Sequence, residues 1–203
     1  MIKAYAAMSA GNALELFEYE AKPLQPSEVN IKVETCGICH SDISAIDNSW
    51  GKSKYPMVAG HEIIGKIIDV GTNVSLHKIG DRVGLGWHSG YCNDCEHCDA
   101  EDHNFCSSTN KTVYSQYGGF SEQVTAEEVS VIPIPNNLNH KDAGPLLCGG
   151  ITVFTPIVEF NITKKHKVGI IGIGGLGHLA LKLYKALGCS VTAFTNSEDK
   201  DDL

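Results

Sequence analysis

Four of the eight cysteines lie within fifteen residues, at Cys92, Cys95, Cys98 and Cys106. The residues between them are mostly polar, so this segment has little apolar surface to bury. Four thiolates at such short spacings can surround one zinc ion. Metal binding would supply the ordering free energy that packing cannot, on the order of 10 kcal/mol or more. The spacing therefore predicts a zinc site that holds this segment together.

Two other roles for these cysteines compete with zinc. An iron–sulfur cluster would suit the Cys-x-x-Cys-x-x-Cys start, but its fourth cysteine normally follows after about three residues and precedes a proline. Here seven residues intervene and no proline follows Cys106. Disulfides would need an oxidising compartment. Zinc is favoured over both.

A second motif is rich in glycine and lies near the end of the sequence. A short apolar strand at Val168–Gly172 leads into Gly172-x-Gly174-x-x-Gly177, and a helix and a second strand at Val191–Phe194 follow. This context predicts a dinucleotide-binding βαβ unit. Gly172 would make the tight turn, Gly174 would let the backbone approach a pyrophosphate, and Gly177 would allow close helix–strand packing. The alternative is a glycine-rich turn without a ligand.

The residues after the second strand bear on which nucleotide binds. An NAD site usually carries an acidic residue there, which holds the ribose 2′-hydroxyl. This strand is followed instead by Thr195, Asn196 and Ser197. Hydroxyl groups could donate to a 2′-phosphate and Lys200 could neutralise it, so NADP is favoured over NAD. The alternative is that Glu198 or Asp199 serves as the NAD acid.

Composition excludes several classes of partner. The 203 residues are 42% hydrophobic and 20% charged, with a formal net charge of −8 and no basic run. Nucleic acid and anionic membranes are therefore not expected partners. The first residues lack the apolar core of a signal peptide, and no apolar run is long enough for a membrane span. Together with cysteines at metal-binding spacing, this predicts a cytoplasmic location.

The elements that must position these motifs form two regions. Before residue 160 the sequence is β-rich, with apolar or β-branched runs bounded by turn residues at Val29–Val33, Ile63–Val70, Arg82–Leu85 and Val129–Ile134. Helical stretches are predicted at His140–Leu147 and Ile151–Phe160. The fold class is therefore mainly β followed by α/β.

Several motifs in register carry a family resemblance. Gly37–Asp42 reads GICHSD, Gly60–Glu62 reads GHE, Gly144–Thr152 reads GPLLCGGIT, and the cysteine and glycine motifs complete the set. The chain resembles a zinc-dependent medium-chain alcohol dehydrogenase over essentially all of its length. It is most similar to the cinnamyl-alcohol-dehydrogenase branch and its bacterial broad-specificity NADPH aldehyde reductases. The resemblance implies a GroES-like β-rich catalytic domain over residues 1–160 and the first βαβ unit of an incomplete Rossmann domain over residues 161–203.

The same resemblance implies two zinc sites. Cys39, His61 and Cys148 would hold a catalytic zinc, with one position open for water or substrate oxygen. Asp42 would orient His61, and Glu62 would lie close behind the metal. The four clustered cysteines match the family's structural zinc. The remaining cysteines match no ligand position: Cys36 and Cys189.

The resemblance further implies a reaction and its cofactor contacts. An aldehyde or a primary alcohol would exchange hydride with NADP(H), with Ser41 handling the proton. His40 would approach the pyrophosphate and Thr152 the nicotinamide. The loop contacts would be Gly172, Gly174, Gly175, Leu176 and Gly177. Relatives often carry a histidine five residues after the first zinc cysteine, where this chain has Ser44.

The two tryptophans have two possible roles. Trp50 and Trp87 could line an apolar substrate pocket, the alternative being ordinary core filling.

One βαβ unit is fewer than a full dinucleotide domain needs, and the family's usual homodimer surface is not expected here. We therefore expect an inactive or weakly active fragment of an NADP-dependent enzyme. Two alternatives are a zinc-binding structural module without catalysis and an NAD-dependent polyol dehydrogenase.

Overall fold

The computed structural model describes residues 1–196. The chain divides into two compact units, Met1–Leu147 and Cys148–Leu203. Among the described residues, no helix combines the length and apolar character needed to cross a membrane.

The first unit is built around one antiparallel sheet of five strands. These strands are β3 (Glu28–Gly37), β4 (Glu62–Val70), β5 (Arg82–Leu85), β8 (Gln123–Glu127) and β9 (Val131–Pro133). Their order in the sheet is β8-β3-β4-β5-β9. Alternate side chains of β3, including Val29 and Ile31, point into the core, because successive residues of a strand face opposite sides. They pack against Ile63, Ile67 and Val83 of the neighbouring strands.

The pairing of β3 with β4 is irregular at two points along its length. The register shifts between Asn30 and Ile31 and again between Val33 and Thr35. Such shifts add a residue on one strand and bend it. Beyond the second shift, Gly37 pairs with Glu62. The ends of β3 and β4 thus lie side by side.

Smaller elements complete the first unit. Two short antiparallel pairs join β1 (Ile2–Ala7) to β2 (Leu14–Tyr19) and β6 (His88–Gly90) to β7 (Asn110–Lys111). The α-helices are α1 (His40–Ile46), α2 (Glu96–Asp99) and α3 (His140–Ala143). Turns of 3-10 helix occur at His103–Phe105, Glu128–Ser130 and Gly144–Leu147.

The second unit contains a βαβ unit preceded by a helix. The elements are α4 (Gly149–Glu159), β10 (Lys167–Ile171), α5 (Gly175–Ala186) and β11 (Ser190–Phe194). The two strands are parallel, with Val168 opposite Val191. Ala180 and Tyr184 of α5 pack with Ile157 of α4 and Ile170 of β10. Gly188 follows α5 with φ 89°, a conformation that glycine adopts at low cost.

Most predicted elements are present, with corrections at their ends. The run at Val129–Ile134 is a turn of 3-10 helix followed by the short β9, since Pro133 cannot donate to a ladder. The stretch at His140–Leu147 begins as α3 and continues as 3-10 helix, with Pro145 in its second turn. The sequence pattern did not predict β1, β2, β8 or α1.

Candidate functional site

The first candidate site is organised by a buried carboxylate in α1. Asp42 is the third residue of the helix and its side chain is 1% exposed. One oxygen accepts from the backbone N–H of Cys39 at 3.0 Å. The other accepts from the backbone N–H of Gly60 at 2.8 Å and contacts Nδ1 of His61 at 2.8 Å. Asp42 thus links the start of α1 to the start of β4.

Three possible metal ligands of the first unit meet beside this carboxylate. The ligand atoms of Cys39, His61 and Glu62 lie within 4.8 Å of one another. His61 is fully buried, and Asp42 fixes its ring through Nδ1. A metal bound here would therefore be ligated by Nε2, the arrangement that a carboxylate partner favours. Thiolate, imidazole and carboxylate are the donor types that zinc accepts.

Glu62 is held at this site in an unusual environment. Burial raises the pKa of its carboxyl, the charge of His61 lowers it, and the charge of Asp42 raises it again, with a net increase. Its carboxylate occupies the space above Gly37, where a Cβ would lie 2.0 Å from Oε2. Glycine at position 37 therefore leaves the space that the Glu62 carboxylate occupies. Cys36 beside it is a packed thiol, and burial raises its pKa to about 12.

Aromatic rings cover the histidine. Trp87 stands edge-to-face against His61, with ring centroids 4.9 Å apart and planes at 88°. Trp50 and Tyr114 make similar contacts with Trp87, each at 6.0 Å. Trp87 is half-buried and Trp50 is 46% exposed, so Trp50 is not a core residue. These rings form an apolar wall beside the three ligand atoms.

The second candidate site is the four-cysteine segment. The sulfur atoms are separated by 3.9 Å in Cys92–Cys98, 3.6 Å in Cys95–Cys98 and 3.5 Å in Cys92–Cys106. Four sulfurs placed about 2.3 Å from a zinc ion lie about 3.8 Å from one another, and disulfide sulfurs lie about 2.05 Å apart. The separations therefore fit a tetrahedron around one metal ion.

Neighbouring groups shift the pKa values of two cysteines of this segment in opposite directions. Hydrogen bonding from the backbone of Cys92 lowers the pKa of Cys106 to about 7. The side chain of Asp94 raises the pKa of Cys92 to about 12. Four adjacent thiols cannot all ionise without a cation, because like charges repel. A divalent ion is the partner that would allow it.

The glycine loop of the second unit has the backbone expected of a dinucleotide site. Gly172 has φ 85°, and its N–H donates to the carbonyl of Phe194 at 2.9 Å. A Cβ at Gly177 would lie 2.1 Å from the carbonyl oxygen of Gly172, so only glycine permits this approach. A Cβ at Gly174 or Gly175 would meet no atom within 4 Å, which leaves space above the start of α5.

The other predicted residues fall in both units. His40 and Ser41 begin α1, exposed and half-buried respectively. Cys148 begins the second unit, directly after Leu147, and Thr152 is exposed in α4. Leu176 lies in the first turn of α5, and Thr195 and Asn196 follow β11. Ser197 and Lys200, and the alternatives Glu198 and Asp199, lie outside the described residues.

Two glycines belong to the sequence motifs, but their structural roles were not predicted. Gly37 makes room for Glu62, and Gly60, with φ 100°, presents its N–H to Asp42. Each lies one or two residues from a candidate ligand, and that adjacency is the signal that could have identified them.

Comparison with known proteins gives a consistent family. The family model of the alcohol dehydrogenase GroES-like domain matches residues 25–136, more than half of the chain. An aldehyde reductase, AdhA of Synechocystis, is 51% identical over 98% of this chain and 60% of its own length. The chain thus spans about three fifths of the length of the curated relatives it matches.

Solved structures agree over nearly the whole chain. The cinnamyl alcohol dehydrogenase SbCAD4 of Sorghum bicolor superposes with a TM-score of 0.94 at 36% identity, over 99% of this chain and 60% of that one. The structure of CAD from Helicobacter pylori in complex with NADP(H) has a TM-score of 0.93 at 34% identity and the same coverage.

Proposed function

Because this chain belongs to the alcohol dehydrogenase GroES-like domain family, we propose that it is part of a zinc-dependent enzyme that interconverts primary alcohols and aldehydes with NADP(H). The observation that carries the proposal is the buried Asp42–His61 pair with the ligand atoms of Cys39 and Glu62 beside it. A domain whose only zinc is structural needs no second group of metal ligands besides the four clustered cysteines.

Cys148 is proposed as the third ligand of the catalytic zinc. Leu147 packs in the first unit, where its carbonyl oxygen lies 2.9 Å from the position of a Cβ at Gly86 of the segment after β5. Cys148 is the next residue in the chain. The ligand set would be Cys39, His61 and Cys148, with Glu62 behind it.

The residues around the proposed zinc would have different roles in the reaction. Zinc at this site would supply Lewis-acid polarisation of the substrate oxygen. Asp42 holds the imidazole of His61 in one tautomer by accepting at Nδ1. Ser41, one residue before Asp42, would donate or accept the proton at the substrate oxygen through its Oγ. Trp87 and Trp50 would exclude water and favour aromatic or medium-chain aldehydes.

The cofactor is proposed to be NADP(H), which supplies the hydride. The start of α5 would bind the pyrophosphate with the N–H groups of Gly175, Leu176 and Gly177. Thr195 would donate to the 2′-phosphate where an NAD enzyme carries an acid. The bound NADP(H) of the Helicobacter pylori relative supports this choice.

The two proposed domains follow the same assignment. Residues 1–160 would be the catalytic zinc-binding domain and residues 161–203 the start of the NAD(P)-binding domain, so that α4 is assigned to the catalytic part. With one βαβ unit, residues 1–203 alone are expected to turn over weakly or not at all.

Metal analysis tests the zinc assignment. The purified chain should contain about two zinc ions per molecule, one in each site. Cys106→Ser should lower this to about one, whereas Cys36→Ser should leave it unchanged. Full zinc content in folded Cys106→Ser protein would refute the structural site.

Activity tests the reaction and the cofactor. A chain extended to the length of its relatives should oxidise NADPH with benzaldehyde, and residues 1–203 should show little or no turnover. Thr195→Asp in the extended chain should shift the preference toward NADH, because a carboxylate repels a 2′-phosphate. An unmodified extended chain that prefers NADH would overturn the cofactor assignment.

A further inference from the structure

The four-cysteine segment is tied to the main sheet by one carboxylate. Glu127 is the last residue of β8, and its Oε2 accepts from the backbone N–H of Tyr91 at 3.3 Å and from Nδ2 of Asn93 at 2.9 Å. Those two residues flank Cys92. The Glu127 carboxylate thus bonds to both sides of the first cysteine ligand.

Asn93 transmits this contact to the backbone. Its φ is 58°, in the left-handed region that asparagine tolerates better than most residues. Its Nδ2 also donates to the carbonyl of Tyr91 at 3.3 Å. The turn from Tyr91 to Asn93 is therefore closed by one side chain, and Glu127 fixes the orientation of that side chain.

Space around the carboxylate is equally specific. A Cβ at Gly90 of β6 would lie 2.7 Å from Oε1 of Glu127, so glycine at this position lets the carboxylate approach the turn. The adjacent Glu128 accepts similar backbone hydrogen bonds from a different loop. Its Oε2 accepts from the backbone N–H groups of Ser75 and Leu76 at 2.8 and 2.7 Å.

We propose that Glu127 is a positioning residue for the zinc of the four-cysteine segment: it holds the Tyr91–Asn93 turn so that Cys92 faces the other three sulfurs. The proposal depends on the zinc proposed above. Without the carboxylate the turn would reach the ligating geometry only part of the time. Zinc would then be lost faster from this site, while the sheet and the other metal site would be unaffected.

The test measures zinc release from the full zinc-loaded chain into a chromophoric chelator. The phase that belongs to the segment is the one missing from Cys106→Ser. Glu127→Gln should speed this phase about tenfold, because a neutral amide accepts hydrogen bonds roughly half as strongly as a carboxylate and keeps only one acceptor oxygen. Gly90→Ala should act in the same direction, since its methyl displaces the carboxylate.

Glu128→Gln is the matched control, and it should leave the release rate unchanged while loosening the loop at Ser75. Hydrogen exchange should separate the two variants, with faster exchange at residues 91–95 in Glu127→Gln only. A wild-type release rate in folded Glu127→Gln protein, or an equal effect of Glu128→Gln, would overturn the proposal. A wild-type chain that lacks the Cys106-dependent zinc would overturn the zinc assignment itself and this inference with it.

Discussion

The Asp42 carboxylate accepts from three N–H groups that come from two parts of the first unit. They belong to the backbone of Cys39, the backbone of Gly60 and the ring of His61. A carboxylate suits this role because both of its oxygens accept and neither donates. One residue therefore sets the position of a thiol, the entry to β4 and the tautomer of an imidazole.

Asp42→Asn should damage both stability and metal binding. The amide can accept at only one of its two ends, so an NH₂ group must face one of the three donors. We expect a loss of about 1–3 kcal/mol in the free energy of unfolding, the cost of a buried unsatisfied donor. Zinc affinity at His61 should fall about 10–100-fold, as is typical when the partner of a ligating histidine is removed.

The comparison for this variant is Asp47→Asn, at the exposed end of the same helix. Urea unfolding and zinc titration of both proteins provide the measurement. If Asp42→Asn behaves like Asp47→Asn in both, the buried carboxylate does not organise the site.

The contrast between the two candidate metal sites shows how much of each site the sequence could predict. The four sulfurs of the segment lie close together along the chain, so spacing alone predicted their grouping. Cys39 and His61 are brought together by the pairing of β3 with β4, and that pairing includes two register shifts that no local pattern marks. Their grouping was predicted only through the family resemblance. Gly37 was missed because its role depends on a side chain 25 positions away.

At the scale of elements, the predicted strands are those with the longest apolar runs. β4 is buried along most of its length, and the predicted run Ile63–Val70 covers all of this strand except Glu62. β2 has no fully buried residue, and the alternation of Val124 and Ala126 with polar residues in β8 spans only five positions, so neither strand contains a long apolar run. Such strands form because a neighbour provides their ladder, which is a tertiary effect.

Gly65→Ala tests the close approach of β3 and β4. A Cβ at this position would lie 2.3 Å from the backbone carbonyl oxygen of Lys32, which cannot move without shifting the strand. We expect a loss of about 1–3 kcal/mol in the free energy of unfolding, as overpacking of a buried site typically gives. Thermal or urea unfolding measures it.

Gly169→Ala in β10 is the matched substitution in the other sheet. Its Cβ would meet only the ring of Phe194, at 3.2 Å, and this side chain is exposed and can turn away. The change in stability should therefore be small. Equal effects of the two alanines would contradict the strand contact as the cause.

At the scale of the whole molecule, the two units differ in how far they bury their apolar residues. The sheet of the first unit has a continuous buried core. In the second unit many large apolar side chains are exposed, namely Ile151, Phe154, Val158, Phe160, Ile171 and Phe194. Parallel sheets are normally covered on both faces, and two strands alone are marginally stable. We therefore expect the second unit to be the less stable part of the described structure.

Hydrogen exchange should reveal this difference directly. Local opening costs little where few apolar contacts break and approaches the full unfolding free energy in a core. Amides of β10 and β11 should therefore exchange at least about tenfold faster than those of Ile64 and Ile67 in β4, a difference of at least about 1.4 kcal/mol. In a chain extended to the length of its relatives, exchange should be slower in β10 and β11 and unchanged in β4. The reason is that added strands would cover only the sheet of the second unit. Protection in β10 equal to that in β4 before extension would contradict the inference drawn from the exposed side chains.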